Sequence, residues 1–352
     1  MTSTADAAAG ERRNASDATG MIVLAACAVW SLITAAAHGG RPEGVLLAVL
    51  AVAAGYASGR ILGALLPVAA PCAGALAGLG LAIATPGPQI TWQLGHTGAT
   101  TALLTLATGA ACCAAWAARP PALRLTLRLL AAGITVTAAV LGSTTGFVTC
   151  AGVLLCSLAA ARMRSRALGL GGLALAAALV TGTTWAIAED VLPDGLSVSL
   201  EGHLTQHRVL LWHDALSMAR QEPELGVGPG RYGELSPTVT QSLVPDGKPH
   251  SASLQQAAEQ GVIGVALLAA VFCWVLYALW RTPRATPIAL TAGAALTALA
   301  AIASIGNALS FTTVTAGAGL LAGIATARPL TYEGPEHVMD GAERPHGDRL
   351  EP

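Results

Sequence analysis

Ten long apolar stretches, separated by short polar segments, set the strongest limit on how this chain can fold. Each is long enough, or nearly so, to cross the roughly 30 Å hydrocarbon core of a bilayer as a helix. Of the 352 residues, 53% are hydrophobic and 11% are charged, whereas about a quarter of the residues in a soluble domain are charged. The sequence therefore predicts an all-α polytopic membrane protein with about ten transmembrane helices, at residues 21–38, 44–59, 61–84, 97–117, 126–142, 147–161, 167–188, 261–280, 286–307 and 309–327.

Arginine residues indicate which ends of these helices face the cytoplasm, because Lys and Arg in short loops stay on that side. Both termini are predicted to be cytoplasmic and the long polar loop external. Only Arg41 lies in a short loop on the opposite side. The twelve arginines on the predicted cytoplasmic side are Arg12, Arg13, Arg60, Arg119, Arg124, Arg128, Arg162, Arg164, Arg166, Arg281, Arg284 and Arg328.

The predicted helices form two bundles joined by one long polar loop. Seven helices cover residues 21–188, three cover residues 261–327, and the external loop with short helices covers residues 189–260. Residues 1–20 and 328–352 are predicted to be disordered cytoplasmic segments, because their composition is too polar for a packed core.

Acidic residues and cysteines are distributed unevenly along the chain. Of 20 acidic residues, none lies between Glu43 and Glu189, and ten lie from Glu189 to Glu259. The predicted helices therefore lack the carboxylates that ion-coupled transporters use as relays. All seven cysteines fall within predicted helices, so we expect no disulfide, no metal site and no cofactor.

The first part of the loop has the pattern of an amphipathic helix followed by a turn. Residues 205–220 show helical periodicity, which places Arg208 and Trp212 on one face. Pro223 is predicted to end this helix. The glycine-rich run that follows, residues 226–230, is predicted to form a tight turn with an exposed backbone.

The last part of the loop predicts a second helix that leads into the membrane. Ser253 and Gln256 have the spacing of a capping box, so the helix is predicted to begin near Ser253. His250 then lies just ahead of the helix, close to the outer membrane face.

The order of these features resembles the O-antigen ligase and O-antigen polymerase family of bacterial membrane glycosyltransferases. The matching pieces are an Arg-x-x-x-Trp helix, a glycine-rich turn, a His-Ser step and a Glu-x-Gly step that leads into a membrane helix. Detailed similarity covers about sixty residues, while the topology covers nearly the whole chain. The residues that carry the resemblance are Arg208, Trp212, Pro223, Gly226, Gly228, Gly230, His250, Ser251, Glu259 and Gly261.

The resemblance implies transfer of a glycan from an undecaprenyl-diphosphate carrier to an acceptor hydroxyl, at the outer face of the bacterial plasma membrane. A diphosphate leaving group needs its negative charge offset, and guanidinium groups bind phosphate oxygens in pairs. Histidine can take the proton of the acceptor hydroxyl. We therefore expect His250 to be the catalytic base and the substrate contacts to come from Arg208, Arg231, Trp212, Glu259 and Ser251.

The expected partners are the lipid-linked donor, a glycan or another cell-surface acceptor, and the bilayer, with no nucleic acid. The sequence contains no Asp-x-Asp step, which favours a metal-independent, lipid-linked donor over a metal-bound sugar nucleotide. No motif distinguishes a ligase from a polymerase.

One position departs from the family pattern. Such proteins often carry a Ser-Arg step at the outer end of an earlier helix, whereas this chain has Ser143, Thr144 and Thr145 there. If that arginine holds phosphate in relatives, this chain must use hydroxyl groups, or Arg208 and Arg231 alone.

Other interpretations of the same residues stay open. His250 could order a loop, Arg208 could extend toward lipid headgroups, and Trp212 could anchor the loop at the membrane interface. Glu259 could cap a helix or pair with an arginine. A membrane transporter, a flippase for lipid-linked glycans or a non-catalytic subunit of polysaccharide assembly would share the topology.

Overall fold

Helices are the only regular secondary structure in the described part of the chain. The computed structural model describes residues 4–84, 96–191, 206–241 and 247–328. They form thirteen α-helices, a 3-10 helix at Ala308–Ser310 and no strand. The α-helices are α1 Thr4–His38, α2 Glu43–Leu65, α3 Ala69–Ala84, α4 His96–Ala117, α5 Pro121–Val140, α6 Thr144–Ala160, α7 Arg166–Ala188, α8 Gln206–Gln221, α9 Tyr232–Leu235, α10 Pro237–Thr240, α11 Ala252–Arg281, α12 Thr286–Ser304 and α13 Thr312–Thr326.

The helices confirm the predicted all-α polytopic fold class. Seven of those in the described residues are long and apolar enough to cross a membrane: α1 from Ser16, α2, α4, α5, α7, α11 and α12. The shorter apolar helices α3, α6 and α13 coincide with the remaining predicted stretches. The count of ten crossing helices and the sidedness of the loop and termini stay predictions.

Two helices, α4 and α12, form the centre of the bundle. In their most apolar 18-residue windows, 89% and 72% of residues are buried, against 11% in α2. Close packing is possible because alanine and glycine dominate both central helices. Ser157 of α6 links them, since its Oγ accepts hydrogen bonds from Trp116 of α4 at 2.9 Å and from Thr291 of α12 at 3.0 Å.

A glycine seam joins α2 to α13, near the two ends of the described chain. A Cβ atom on Gly59 would lie 2.3 Å from the carbonyl oxygen of Leu320, and one on Gly323 would lie 2.2 Å from that of Tyr56. Gly55, Gly63 and Gly319 make similar approaches. Small residues four apart let membrane helices approach closely enough for backbone packing.

Arginines that the sequence places on the cytoplasmic side cap helix ends. Arg284 is 7% exposed, and its guanidinium donates to the carbonyl of Ala327 at 2.8 Å and that of Gly63 at 2.6 Å. Arg166 donates to the carbonyl of Thr282 at 2.6 Å. Cationic side chains can satisfy carbonyl groups left unpaired where helices end.

The turn between the second and third predicted helices lies further along the chain than expected. The sequence predicted it at Arg60, but α2 continues to Leu65 and the chain turns before Pro67. A residue that precedes proline is disfavoured in the helical conformation, and Leu66 has φ −128° and ψ 69°. Arg60 lies inside α2, where it donates to Asp17 at 2.7 Å.

The N-terminal segment also differs from the prediction of disorder for residues 1–20, since α1 already begins at Thr4. Residues 4–20 contain no proline and several alanines, and alanine has the highest helix propensity. The prediction for residues 328–352 falls outside the described residues, except for Arg328.

Candidate active site

The described part of the loop region, residues 189–260, has a hydrophobic core of its own. This core lies where α8, α9, α10 and the first turns of α11 pack against the end of α7. Its buried members are Ala188, Leu211, Trp212, Ala215, Leu216, Met218, Tyr232, Val239, Leu254 and Ala258. The predicted site residues are therefore held by a packed substructure.

Helix α8 confirms the predicted amphipathic helix, and its inner face carries Trp212. The side chain of Trp212 is fully buried, and its Nε1 has no hydrogen-bond partner within the described residues. Arg208, one turn earlier on this face, is partly exposed. Neither a sugar contact nor an interfacial anchor suits an indole with no accessible surface, so Trp212 is a core residue here.

Short helices α9 and α10 are fastened to α8 by two buried contacts. The hydroxyl of Tyr232 donates to the carbonyl of Leu211 at 2.7 Å, and burial raises the pKa of Tyr232 above its ordinary value. The carboxylate of Asp214 accepts hydrogen bonds from the hydroxyl of Ser236 and from the backbone N–H of Thr238. These contacts fold the chain after the glycine-rich turn back along α8.

Helix α11 is broken at Gly261, which has φ 68° and ψ −165°. Its 30 residues would extend about 45 Å if straight, more than the bilayer core of roughly 30 Å requires. The break therefore separates residues 252–260, which belong to the loop region, from the membrane-crossing residues 262–281.

The glycine-rich turn supplies the hydrogen bonds that the broken helix lacks. Val227 N–H donates to the carbonyl of Ala258 at 2.8 Å, and Gly228 N–H donates to that of Glu259 at 3.0 Å. Val262 N–H donates to the carbonyl of Pro223 at 2.8 Å. Buried backbone groups need partners, so the turn and the break fit each other as one junction.

Glycine is required at this junction because the two backbones touch. A Cβ on Gly226 would lie 2.5 Å from the amide nitrogen of Gln260, and one on Gly261 would lie 2.4 Å from the carbonyl oxygen of Glu224. Both have positive φ, 65° and 68°, which side chains disfavour. The predicted exposure of this turn is wrong at Gly226 and Gly228, which are buried.

Glu259 holds the turn from inside. The backbone N–H groups of Gly230 and Tyr232 lie near its carboxylate and favour its charged form, and the side-chain amide of Gln255 donates to it at 3.4 Å. The side chain is 4% exposed. Burial raises the pKa of Glu259 from its ordinary value to about 7, although these groups and nearby Lys248 oppose the shift. The geometry thus favours the structural interpretation of Glu259 over substrate contact.

His250 has a strained backbone at the entrance to α11. Its φ is 53°, in the left-handed region that residues other than glycine rarely occupy, and it is 5% exposed. Such conformations cost about 1–3 kcal/mol and cluster at functional sites. His250 is therefore fixed in place by its surroundings.

The helix after His250 begins two residues earlier than the predicted capping box. Ser251 is its N-cap residue and is 1% exposed. Ser253 Oγ instead accepts a hydrogen bond from the indole N–H of Trp185 at 3.2 Å and lies 3.3 Å from Ser251 Oγ. Packing against α7 therefore occupies the hydroxyl that was expected to cap the helix.

Arg208 and His250 lie near the starts of two helices that pack together. Helices α8 and α11 contact each other, and the bond between Pro223 and Val262 joins them at one point. Arg208 lies in the first turn of α8, and His250 lies just before the start of α11. Leu211 and Leu254, about one turn after each, belong to the same hydrophobic core.

Arg231 contacts a segment that sequence reasoning did not include in the site. Its guanidinium donates to the carbonyl of His38, the last residue of α1, at 2.7 Å. Arg41, the exception to the charge rule, forms an exposed ion pair with Glu234 at 3.1 Å. The unusual placement of Arg41 was the one sequence signal for this contact, and nothing marked His38.

The hydroxyl groups at the position of the missing arginine have structural partners. Ser143 Oγ accepts from the N–H of Gly146 at 3.0 Å, which caps α6, and lies 2.9 Å from the hydroxyl of Thr101. Ser143 is thus engaged within the bundle. Among the described residues, no group of three His, Cys, Asp or Glu side chains is placed to hold a metal ion.

A comparison with known proteins finds that this region is similar to one family. Residues 129–269 match the family described as O-antigen ligase, which confirms the family resemblance predicted from the sequence. The match runs from within α5 to within α11 and contains all six predicted site residues. No curated protein and no solved structure matches the chain.

Proposed function

We propose that this chain, which carries an O-antigen ligase domain over residues 129–269, transfers a glycan from an undecaprenyl-diphosphate carrier to an acceptor hydroxyl. The family match carries the proposal, because it covers the loop region and both helices that frame it. In this proposal residues 189–260 form an external catalytic loop between bundles 21–188 and 261–327. The termini face the cytoplasm of a bacterium.

His250 is the proposed base. Its buried ring and strained backbone favour a fixed direction of approach to the acceptor hydroxyl, and positioned base catalysis contributes about a hundred- to ten-thousand-fold. The fixed α11 start and the packing of Ser251 keep the imidazole from moving away.

Arg208 is a proposed ligand of the diphosphate. It is partly exposed at the start of α8, a helix that packs against α11, whose start follows His250. A guanidinium offsets the negative charge that develops on the leaving diphosphate. The reaction is proposed to need no metal ion, since proton transfer and charge stabilisation both come from side chains.

The other predicted site residues divide into two groups. Trp212, Ser251 and Glu259 are buried, and we assign them to holding the loop in shape. Arg231 is partly exposed and keeps guanidinium N–H groups beyond the one that contacts His38, so it remains a proposed substrate ligand.

The test is surface glycan production by His250→Ala and Arg208→Ala in the native host. Exposed residues of the same types on α8 give matched controls, His213→Ala and Arg220→Ala. We expect a loss of about a hundredfold or more for His250→Ala and of similar order for Arg208→Ala, with the controls unchanged. Membrane levels of all four variants are measured in parallel.

Where the lipid-linked glycan accumulates distinguishes transfer from transport. Loss of transferase activity leaves the lipid-linked donor on the outer leaflet, where an added glycosidase can cleave it. Loss of flippase activity leaves the donor on the inner leaflet, where the glycosidase cannot reach it. Wild-type glycan length and amount in both site variants, at normal membrane levels, reject the proposed reaction.

A further inference from the structure

The connection between α1 and α2 docks onto the glycine-rich turn, although it lies outside the matched region 129–269. Arg41 N–H donates to the carbonyl of Pro229 at 2.7 Å, and Arg231 donates to the carbonyl of His38 at 2.7 Å. A Cβ on Gly228 would lie 2.9 Å from the Cβ of His38. The last turn of α1 is therefore one wall of the candidate site.

The imidazole of His38 has one buried and one accessible side. The residue is partly exposed, while its Nδ1 is buried and has no hydrogen-bond partner among the described residues. A neutral imidazole carries one N–H and one lone pair, and a buried N–H without an acceptor is rarely left in proteins. The proton therefore belongs on Nε2, on the accessible side of the ring.

The turn itself has no amide groups left for an anion. The N–H groups of Val227, Gly228 and Arg231 donate to carbonyl oxygens, and those of Gly230 and Tyr232 lie near the carboxylate of Glu259 and favour its charged form. A phosphate at this turn must be bound by side chains instead.

Positive charge is available beside His38. Arg231 stands against it, and Arg41 follows three residues later with its side chain 75% exposed. Glu234, 53% exposed, pairs with Arg41, so these three charged groups sum to plus one. An imidazole N–H next to a guanidinium suits a phosphate oxygen.

We propose that His38 donates its Nε2 hydrogen to a phosphate oxygen of the lipid diphosphate, beside the guanidinium of Arg231. The inference rests on the proposed function, since the diphosphate is the donor assigned there. It adds a substrate ligand from α1 to a site otherwise built from the loop region. His38 binds the leaving group and has no part in taking the acceptor proton.

Binding of undecaprenyl diphosphate to the purified full-length protein in phosphatidylcholine nanodiscs tests this role. His38→Leu and His38→Gln both keep the Cβ contact with Gly228, but only the glutamine keeps an N–H donor. We expect His38→Leu to bind about tenfold more weakly or worse, and His38→Gln to recover most of the affinity. The exposed His213→Leu is the control. Arg231→Gln probes the same subsite without altering α1.

The outcomes separate this inference from the proposed function. Wild-type affinity in folded His38→Leu, or in Arg231→Gln, overturns the inference, while loss of transfer in His250→Ala leaves the proposed function intact. A wild-type protein that does not bind undecaprenyl diphosphate rejects both. Nanodiscs that contain phosphatidylglycerol test whether the subsite binds the phosphate of an ordinary lipid headgroup instead. If this lipid competes with the diphosphate in wild type but not in His38→Leu, the subsite binds ordinary headgroups and the inference is wrong.

Discussion

The glycine seam between α2 and α13 and the glycine junction at Gly261 use the same residue for different reasons. In the seam, Gly59 and Gly323 lie within regular helices, and only the missing side chain matters, because each helix lies against carbonyl oxygens of the other. At the junction, Gly226 and Gly261 also have positive φ. The junction therefore needs glycine for both space and backbone conformation.

The two regions also satisfy their backbones differently. Each seam helix makes its hydrogen bonds internally, so the seam adds only close packing, which is a main source of stability between membrane helices. At the junction the helix is interrupted, and other segments supply the missing hydrogen bonds. One of them comes from Trp30 of α1, whose indole N–H donates to the carbonyl of Gln260 at 3.0 Å. The seam supports the bundle, while the junction shapes the candidate site.

The largest expected effect is on the seam. Gly59→Leu places a side chain against the carbonyl of Leu320 and must separate two helices, with an expected cost of about 3 kcal/mol or more. Thermal unfolding in detergent measures it. The control is Gly133→Leu on α5, where a Cβ meets no heavy atom within 4 Å, and which we expect to be neutral. Equal melting temperatures for the two variants would show that close packing at Gly59 does not contribute to stability.

Gly261→Ala tests the junction, where contact and conformation act together. An alanine at φ 68° and ψ −165° would occupy a region that is essentially open to glycine alone, at a cost of about 1–3 kcal/mol, and the approach of Glu224 adds about 1–3 kcal/mol of overpacking. We expect glycan production to fall more steeply than membrane level.

Gly142→Ala is the matched control for the junction, because Gly142 has φ 72° with no heavy atom within 4 Å of its Cβ position. It measures the cost of a side chain at positive φ where no close contact is made. If Gly261→Ala destabilises the protein no more than Gly142→Ala does, the junction has no stronger need for glycine than an ordinary turn.

Glu259→Gln tests the charge inside the junction through its pH dependence. Burial raises the pKa of Glu259 to about 7, so the folded state favours the protonated form. Wild type therefore loses stability as pH rises from about 4.5 to about 7, and the loss is complete above this range. The stability of the glutamine variant relative to wild type should therefore rise with pH, by on the order of 2 kcal/mol.

Thermal melts at pH 5 and pH 8 measure this gain, with the exposed Glu222→Gln as the control. A difference between Glu259→Gln and wild type that stays constant with pH contradicts the assignment of a buried, raised-pKa carboxyl.

The smallest expected effect is at the rim of the junction. Arg41 and Glu234 form an ion pair whose side chains are 75% and 53% exposed, and such pairs contribute about 0–1 kcal/mol. Arg41→Ala should change stability by less than about 0.5 kcal/mol. A double-mutant cycle with Glu234→Ala measures the coupling energy of the pair directly. A coupling clearly above about 1 kcal/mol would show that the ion pair anchors the α1–α2 connection to the glycine-rich turn.

Local sequence patterns predicted the parts of the site that depend on neighbouring residues. Helix α8 follows from its periodicity, and the end of α7 follows from the end of an apolar stretch. The order of Arg208, the glycine-rich turn and His250 predicted the similarity to the O-antigen ligase family that residues 129–269 show. By contrast, the N-cap of α11 was misplaced by two residues, because Trp185, 68 positions from Ser253, uses the expected capping hydroxyl.

By itself, the sequence determined the all-α membrane fold class and the resemblance to the O-antigen ligase family, since hydropathy, helical spacing and short motifs are properties of short segments. Only the tertiary structure decided that Trp212 lies in a core, that Glu259 holds a turn and that His38 stands beside Arg231. Each of these roles depends on partners brought together by packing across up to 193 positions of sequence, as between Arg231 and His38. No local pattern encodes which distant carbonyl or amide will meet a given side chain, because that choice is made when the helices pack.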